Sequence, residues 1–351
     1  MTNSLTQKKS KRLWHTAGKY SASGTQTYSK QPQRYVDGVY PIFLEGGQGA
    51  FVYDVDGISY IDYIASLGAN LLGHCHEYVN EQVKARIDKG ILFSLPSLHE
   101  QELAMKINEL IPSMESMRFM KSGSEAVSAG IKIARAYTGK DIVLSAGYHG
   151  WHDWSTPITP KSAGTPASFK STIYSFEYND YSKLETYFNT MGKQIACVVL
   201  EPYVFDSPID NFLEKVIKLA HRNNALVLFD EVVTGIRWDK FSVQNAYGVK
   251  PDLTALGKTI ANGFPLAVIG GNRNIMKVLD GDCFVSTTYG GELASIIAAI
   301  ATLRIAKDEC IPDRLFESGM SIMEGMNQMA VLNGLDFKIT GTPYRQRMIF
   351  P

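Results

Sequence analysis

Two residues of this sequence suit chemistry on a small molecule, Asp230 and Lys258. Asp230 follows the apolar run 225–229 (ALVLF), which predicts a strand buried on both faces of a parallel sheet. In open α/β sheets, ligands bind outside the carboxyl ends of the strands, where this carboxylate would lie. Lys258 stands between the apolar segment 253–256 and a turn rich in Gly and Pro. The two groups can therefore share a ligand.

An acid and a buried amine are the two groups that a pyridoxal phosphate (PLP) site needs. The amine of Lys258 would form a Schiff base with the cofactor aldehyde, and Asp230 would keep the pyridine nitrogen protonated so that the ring accepts electrons. The alternative is that Asp230 and Glu231 cap a turn and that Lys258 is a solvated loop residue. The pair alone does not decide between the two interpretations.

A phosphate group could bind at residues 121–127 (KSGSEAV), which follow a predicted strand and open a predicted helix. Gly123 lets a ligand approach the backbone, and Ser124 adds a hydroxyl at the helix N-terminus, where free N–H groups and the helix dipole favour an anion. An ordinary N-cap with an acid in the first turn explains the same residues.

Three further segments could contribute to a site at the strand ends. Residues 147–154 (GYHGWHDW) place aromatic rings in a loop, where one ring could lie on a planar ligand or could pack inward. Glu201 places another acid at the end of a predicted strand. Residues 286–292 (STTYGGE) offer hydroxyls and glycines as a second phosphate cradle.

The elements that would position these residues alternate between helix and strand, which predicts a mainly parallel sheet. Short antiparallel strands are expected at 40–44 and 49–63, with Asp56-Gly57 as a hairpin turn, and residues 1–35 read as an extended arm. Further along the chain we predict helices at 77–89, 99–110, 124–137, 182–191, 210–223 and 293–306, and strands at 116–120, 141–145, 195–200, 225–229, 265–270 and 284–287.

Composition limits the classes of protein. Apolar residues make up 45% of the 351 residues, which supports a large core. Lys+Arg and Asp+Glu number 35 each, so no excess charge favours nucleic acid or a membrane surface as a partner. Four scattered cysteines and the absence of a secretory signal predict a cytoplasmic protein. The run 74–76 (HCH) has no second ligand pair, so we predict no metal site.

The order and spacing of the motifs resemble the class III, fold-type I PLP aminotransferases, and within them glutamate-1-semialdehyde 2,1-aminomutase. The resemblance extends from about residue 24 to residue 335. It implies that Ser122, Gly123 and Ser124 form the phosphate loop and that Thr288 reaches the site from the adjacent subunit. Tyr148 and His149 would belong to the loop that stacks on the ring, and Glu201 would be the acid at a strand end. Asp230 would bind the ring nitrogen beside Val232, and Lys258 would form the Schiff base.

The resemblance also implies an architecture. We expect a large domain at residues 71–308 with a seven-stranded, mainly parallel mixed sheet. A smaller α+β domain would combine an arm and partial domain at 1–70 with residues 309–351. The threonine role implies a homodimer with shared active sites. Family members usually continue for several dozen residues beyond the point where this sequence stops, so a natural short form, a fragment, or completion by a partner are all open.

The implied reaction is the transfer of an amino group between a donor and an aldehyde or ketone, with Lys258 as the base and Asp230 stabilising the carbanion. The alternatives are the semialdehyde aminomutase itself, a catalytically quiet protein of the same fold, and a PLP lyase or decarboxylase. Lys30 stands where the aminomutase has the arginine that binds the substrate carboxylate. Lysine lacks the bidentate fork, so Lys30 predicts a different substrate.

Overall fold

The computed structural model describes residues 8–36 and 39–351. The chain divides into two compact units, Met1–Glu77 and Tyr78–Pro351. The three domain ranges expected above, with boundaries after residues 70 and 308, stay a prediction.

The described residues of the first unit form two α-helices, three short 3₁₀ turns and a small antiparallel sheet in the order β1-β2-β3. Its elements are α1 (Lys8–Tyr20), α2 (Ala65–Gly68), β1 (Leu44–Gln48), β2 (Phe51–Asp54) and β3 (Ser59–Ile61). The predicted turn at Asp56-Gly57 is confirmed, since it joins β2 to β3. The strand predicted at 40–44 was wrong, because β1 begins only at Leu44.

The N-terminal segment is a helix where the sequence predicted an extended arm. Helix α1 spans Lys8–Tyr20. The backbone N–H groups of Lys9 and Ser10 donate to the two carboxylate oxygens of Asp56, at 2.9 and 3.0 Å. A carboxylate is a strong cap for the free N–H groups at a helix start. Asp56 lies 47 and 46 positions after Lys9 and Ser10 in the sequence, so no local pattern in residues 8–20 could predict this cap.

The second unit contains most of the regular structure. Its helices are α3 (Glu77–Ile87), α4 (Leu98–Leu110), α5 (Gly123–Thr138), α6 (Tyr181–Met191), α7 (Phe212–Arg222), α8 (Val243–Ala246), α9 (Arg273–Met276), α10 (Leu293–Asp308) and α11 (Ile311–Leu332). Its strands are β4 (Ser116–Met120), β5 (Ile142–Ala146), β6 (Ile173–Ser175), β7 (Ile195–Leu200), β8 (Leu226–Glu231), β9 (Leu253–Leu256), β10 (Ala267–Gly271), β11 (Lys338–Thr342) and β12 (Arg345–Ile349).

The central sheet has seven strands in the order β4-β10-β9-β8-β7-β5-β6. Strand β10 runs antiparallel to both β4 and β9, whereas the pairs from β9 through β8, β7 and β5 to β6 are parallel. The predicted seven-stranded mixed sheet is therefore confirmed. All strands except β10 run in the same direction, so their carboxyl ends share one edge, where ligands bind in such sheets.

The central strands are buried on both faces, which explains their continuous apolar sequences. Every residue of β5, β7, β8, β9 and β10 is buried. Along β8, Leu226 and Leu228 pack in one apolar core with α5, while Val227 and Phe229 pack in a second core with α6 and α7. This alternation follows from the two-residue period of a strand. The sheet thus separates two helical layers and gives the residues at its edge a rigid support.

The strand predicted at 284–287 was wrong. This segment is irregular, and side chains of neighbouring elements take its carbonyl groups. Arg118 Nη1 donates to the carbonyl oxygen of Val285 at 2.5 Å, and Lys132 Nζ donates to that of Phe284 at 2.7 Å. Because those acceptors are already satisfied, the segment forms no ladder with another strand.

Candidate active site

Asp230 lies near the carboxyl end of β8 and is buried. Its Oδ1 accepts a hydrogen bond from the backbone N–H of Val232 at 3.1 Å, and its Oδ2 lies 2.8 Å from His149 Nδ1. His149 Nε2 lies 2.9 Å from the carbonyl oxygen of Ala146. A carbonyl oxygen only accepts, so Nε2 donates its proton to Ala146, and Nδ1 faces the carboxylate of Asp230. His149 therefore positions the Asp230 carboxylate.

The neighbouring acid, Glu231, has a structural task. It is fully buried, and burial raises the pKa of its carboxyl while four hydrogen bonds lower it. One oxygen accepts from Thr234 Oγ1 and the Val243 backbone N–H, and the other from the backbone N–H and Nε2 of Gln244. These bonds span 2.8 to 3.2 Å. Glu231 thus connects the loop after β8 to the start of α8, and both of its carboxylate oxygens are occupied by protein donors.

Lys258 begins a 3₁₀ turn, Lys258–Ala261, two residues after β9 ends. Its φ is +44°, a left-handed conformation that is strained for a residue with a side chain. Burial lowers the pKa of Lys258, while the charges of Asp230 and Glu201 raise it. A half-buried amine with a lowered pKa is more readily deprotonated, and only the neutral amine attacks an aldehyde.

The loop predicted to bind the phosphate lies at the N-terminus of α5. Ser122 and Glu125 form a reciprocal capping box, and Glu125 Oε2 accepts from the N–H groups of Lys121 and Ser122 at 2.9 Å. The next N–H groups, of Gly123 and Ser124, lie in the first helical turn, where no intrahelical acceptor exists. They are the groups that an anion at a helix N-terminus would bind.

Glycines bring the phosphate loop close to the residues around Asp230. A Cβ at Gly123 would lie 2.8 Å from Val232 Cγ1, so no side chain fits between them. Gly150 has a φ of +103°, and a Cβ there would lie 2.7 Å from the Cβ of Ser124. Both contacts are closer than real Cβ contacts, so the loops depend on glycine at both positions. Ser124, Val232 and the 148–150 loop thus lie close together near Asp230.

Tyr148 completes that loop with an exposed ring, 66% accessible. Partial desolvation raises the pKa of Tyr148, and the charge of Asp230 raises it further. Tyr148 therefore lies within electrostatic range of Asp230, with its ring available for contact with a planar ligand.

Glu201 follows β7 directly and is buried. Burial raises the pKa of Glu201, and the positive charge of Arg345 lowers it. Arg345 Nη1 donates to Glu201 Oε2 at 2.5 Å. Arg237 adds a second guanidinium, whose pKa falls to about 10 because of burial and of the charge on Arg345.

Neither arginine was predicted from the sequence as a site residue. Arg237 ends the stretch that contains Asp230, so its proximity was a usable signal. Arg345 lies 144 positions after Glu201, in a hairpin that no sequence pattern connects to β7.

Two predicted site residues, Thr288 and Lys30, have roles that differ from those of this cluster. Thr288 is exposed in the irregular segment that precedes α10, and its predicted role needs a second subunit. Lys30 is exposed and ends the 3₁₀ turn Tyr28–Lys30 of the first unit. Both roles stay predictions.

Within residues 8–36 and 39–351, His, Cys, Asp and Glu side chains form no group of three or more that could hold a metal ion. None of the helices in these same ranges has the length and apolar composition that crossing a membrane requires.

The residues around Asp230 fit PLP. They supply an amine with a lowered pKa, a buried carboxylate, an apolar face at Val232, an exposed aromatic ring and a helix N-terminus closed by Gly123. An aldehyde, a pyridine nitrogen, two ring faces and a phosphate are the matching groups of this cofactor.

Comparison with known proteins supports a PLP-dependent enzyme. The family model for class-III aminotransferases matches residues 33–333. The structure of the FumI protein of a Sphingopyxis species, solved in its PLP internal aldimine form, is 27% identical, with a TM-score of 0.91 over 97% of this chain and 83% of that one. An omega-transaminase from Sphaerobacter thermophilus is 26% identical, with a TM-score of 0.86 over 95% and 81% of the two chains.

A glutamate-1-semialdehyde aminomutase from Pseudomonas aeruginosa shares the fold, at 21% identity and a TM-score of 0.85 over 97% of this chain and 80% of the other. The predicted family, fold type, cofactor and enzyme class are confirmed. This chain belongs to the class-III aminotransferases, PLP-dependent enzymes of fold type I.

Proposed function

We propose that this enzyme transfers an amino group between an amine donor and an aldehyde or ketone acceptor, with PLP bound at Lys258 and Asp230. One observation carries the proposal. The amine whose pKa burial lowers, Lys258, lies within electrostatic range of a buried carboxylate that His149 holds in place. Asp230 lies at the carboxyl end of β8 and Lys258 two residues after the adjacent parallel strand β9, so the sheet holds the two residues near each other.

When bound, PLP supplies an aldehyde that captures amines and a pyridine ring that accepts the electrons of a broken C–H bond. Lys258 would hold the cofactor through its amine and, once that amine is free, would act as the general base and acid that moves the proton. Asp230 would hold the ring nitrogen in its protonated form, and His149 keeps Asp230 oriented. The first turn of α5 would bind the phosphate.

Tyr148 and Val232 would cover the two faces of the ring. Tyr148 belongs to the loop that Gly150 holds against Ser124, and Val232 is fixed by its backbone hydrogen bond to Asp230. Because these contacts position the ring without reacting, their loss would weaken cofactor binding more than it slows the chemical step.

The test is a titration of the PLP-loaded enzyme with amine donors, followed by its absorbance. We expect at least one donor to remove the visible band of the Lys258-bound cofactor and leave the pyridoxamine spectrum. An acceptor should then restore the band. A protein that holds PLP but keeps the band with every amine would be a quiet fold, and amine release without a pyridoxamine stage would indicate a lyase.

The same titration separates a two-substrate transaminase from an aminomutase. A transaminase completes its cycle only when a separate acceptor is added. The alternative is an aminomutase, which the structural match to an aminomutase supports. An aminomutase interconverts one compound and regains its starting spectrum without a separate acceptor. Lys30 stands where the aminomutase has an arginine, and this difference favours a substrate other than glutamate semialdehyde.

We further propose that the enzyme works as a homodimer with shared active sites. Large apolar side chains are exposed around the start of α4, a pattern that favours a protein interface. They are Leu92, Phe93, Leu95, Leu98 and Met105. Light scattering should give about twice the chain mass of 38.9 kDa.

Sharing is tested by coexpression of two inactive chains, Lys258→Ala and Thr288→Asp. A mixed dimer would contain one site with both native residues, so about a quarter of the wild-type activity should return with random pairing. Sites confined to one subunit would give no recovery. Each variant expressed alone provides the baseline.

A further inference from the structure

Lys121 and Glu292 form an ion pair at the edge of the central sheet. Lys121 directly follows β4, and its Nζ lies 3.0 Å from Glu292 Oε2. Strand β4 runs in the same direction as β8 and β9, so Lys121 lies at the edge that carries Asp230 and Lys258. The two side chains are only 18% and 13% exposed, so solvent screens this pair less than an exposed one.

The pair joins the starts of two helices. Lys121 precedes Ser122, the N-cap residue of α5, whose first turn is the proposed phosphate site. Glu292 is the N-cap residue of α10. The two partners lie 171 positions apart in the sequence, so only the fold brings them together. The pair thus connects the predicted phosphate loop to the segment 286–292, which the sequence offers as a second phosphate cradle.

The turn before Glu292 packs against the end of β4. It contains Thr288, and the Gly290 N–H donates to the carbonyl oxygen of Thr287 at 3.2 Å. A Cβ at Gly290 would lie 2.6 Å from the carbonyl oxygen of Phe119 in β4, so only glycine fits there. The position of Thr288 therefore depends on the contacts between this turn and the end of β4.

Neither helix needs the ion pair for its own cap. The carboxylate of Glu292 accepts from the Ala294 N–H at 2.6 Å, and from the N–H and Oγ of Ser295 at 3.3 and 2.7 Å. At α5, Ser122 and Glu125 cap each other's segment reciprocally. Because both caps are complete without an ammonium group, the remaining effect of the pair is to fix the two helix starts relative to each other.

Glu292 is ionised at neutral pH. Burial acts to raise the pKa of its carboxyl, but the hydrogen bonds from Ser295 and Lys121 and the charge of Lys121 lower the pKa overall. The cap contacts hold this carboxylate in one place, so the ammonium of Lys121 has one defined partner. Loss of either partner would leave a half-buried charge without its counter-ion, which costs more than loss of an exposed pair.

We propose that Lys121 and Glu292 are positioning residues for the phosphate group of the cofactor. The pair would hold the turn that contains Thr288 in place relative to the first turn of α5. The inference rests on the proposed function, which assigns phosphate binding to these two segments. Because Thr288 is proposed to reach the adjacent subunit, the pair of one chain would serve its own site through α5 and the adjacent site through this turn.

The experiment compares the binding of PLP with that of pyridoxal, which has the same ring and aldehyde but no phosphate. Both ligands are titrated into the 351-residue chain after removal of its cofactor, and binding is followed by absorbance. Lys121→Met keeps an apolar stem and removes the charge. We expect it to lower PLP affinity by about tenfold, as for a lost hydrogen bond between charged groups, and to change pyridoxal affinity by less than about twofold.

Glu292→Gln separates the ion pair from the cap and provides the same comparison if Lys121→Met does not fold. Its amide oxygen can still accept from the Ala294 N–H, whereas its charge is lost. PLP affinity should fall as in Lys121→Met. The double variant should bind PLP about as well as either single variant, because both substitutions remove the same contact. Lys121→Arg keeps the positive charge and should retain PLP affinity within about threefold of the wild type.

Lys307→Met is the matched control variant. Lys307 lies near the other end of α10 and also pairs with a glutamate of another element, Glu109 in α4. Both of these side chains are exposed, so the affinity for either ligand should change by less than about twofold. Equal losses of PLP and pyridoxal affinity in Lys121→Met would indicate a general structural role and overturn the proposal. Unchanged PLP affinity, or additive losses in the double variant, would overturn it as well.

Cofactor binding and amino transfer are tested independently. An enzyme that converts amines but keeps the wild-type ratio of PLP to pyridoxal affinity in Lys121→Met refutes the positioning pair alone. An enzyme that shows the phosphate-dependent loss but never yields the pyridoxamine spectrum refutes amino transfer alone.

Discussion

Replacing Lys258 with alanine should abolish the covalent attachment of PLP and lower amino transfer by about 10²–10⁴-fold or more, the usual contribution of a positioned general base. The variant loses both the amine that captures the aldehyde and the group that moves the proton. Absorbance of the PLP-loaded protein and borohydride trapping followed by peptide mapping measure the attachment. In the wild type the trapped cofactor should lie on the peptide that contains Lys258.

The variant should still bind PLP without a covalent bond, because Asp230 and the N-terminus of α5 remain. Added methylamine should restore part of the proton transfer, which separates a lost base from a lost fold. Lys250→Ala is the matched control, an exposed lysine paired with Glu115. Cofactor trapped on another lysine, or undiminished activity in Lys258→Ala, would contradict the assignment.

The central sheet could be predicted because its strands are determined locally. The strands predicted at 116–120 and 195–200 are β4 and β7 with unchanged bounds. Their neighbours β5, β8 and β10 differ by one or two residues at each end. A continuous apolar run between polar turns has few alternatives to a strand buried on both faces, so little tertiary information was needed.

Elements held by distant partners were not predicted. Helix α1 is polar throughout much of its length, and its cap comes from Asp56. The segment 284–287 has the residues of a strand, but Arg118 and Lys132 bind its carbonyl groups. Local propensity and period cannot include such contacts, which form only when the chain is folded.

The candidate site divides in the same way. Asp230 was predicted from the rule that the carboxyl ends of strands hold ligands, and Lys258 from its place between an apolar segment and a turn rich in Gly and Pro. His149 was predicted among the cofactor-binding residues; it contacts Asp230 and Ala146, and its role toward the cofactor stays a prediction. Arg345 was missed because only the packing of the hairpin near β7 brings it to Glu201.

Replacing Asp230 with asparagine should leave PLP attached to Lys258 but lower amino transfer by about 10²–10³-fold, comparable to the loss of one preorganised electrostatic contact. An amide cannot hold the ring nitrogen in its charged form, so the ring accepts electrons poorly. The negative charge of Asp230 raises the pKa of Lys258, so the substitution should lower that pKa further. Attachment therefore persists, in contrast to Lys258→Ala.

Asp252→Asn is the matched control for this substitution. Asp252 precedes β9 at the opposite end of the sheet, where it accepts from the Val227 backbone N–H at 2.8 Å and contacts His221 at 2.9 Å. Its loss should reduce the free energy of unfolding by about 1–3 kcal/mol and leave the chemistry of the folded enzyme unchanged. Single-turnover conversion of the bound cofactor by an amine compares the two variants directly. If Asp230→Asn converts the cofactor at the rate of Asp252→Asn, then the ring nitrogen has another partner and Asp230 is not the acid that this chemistry requires.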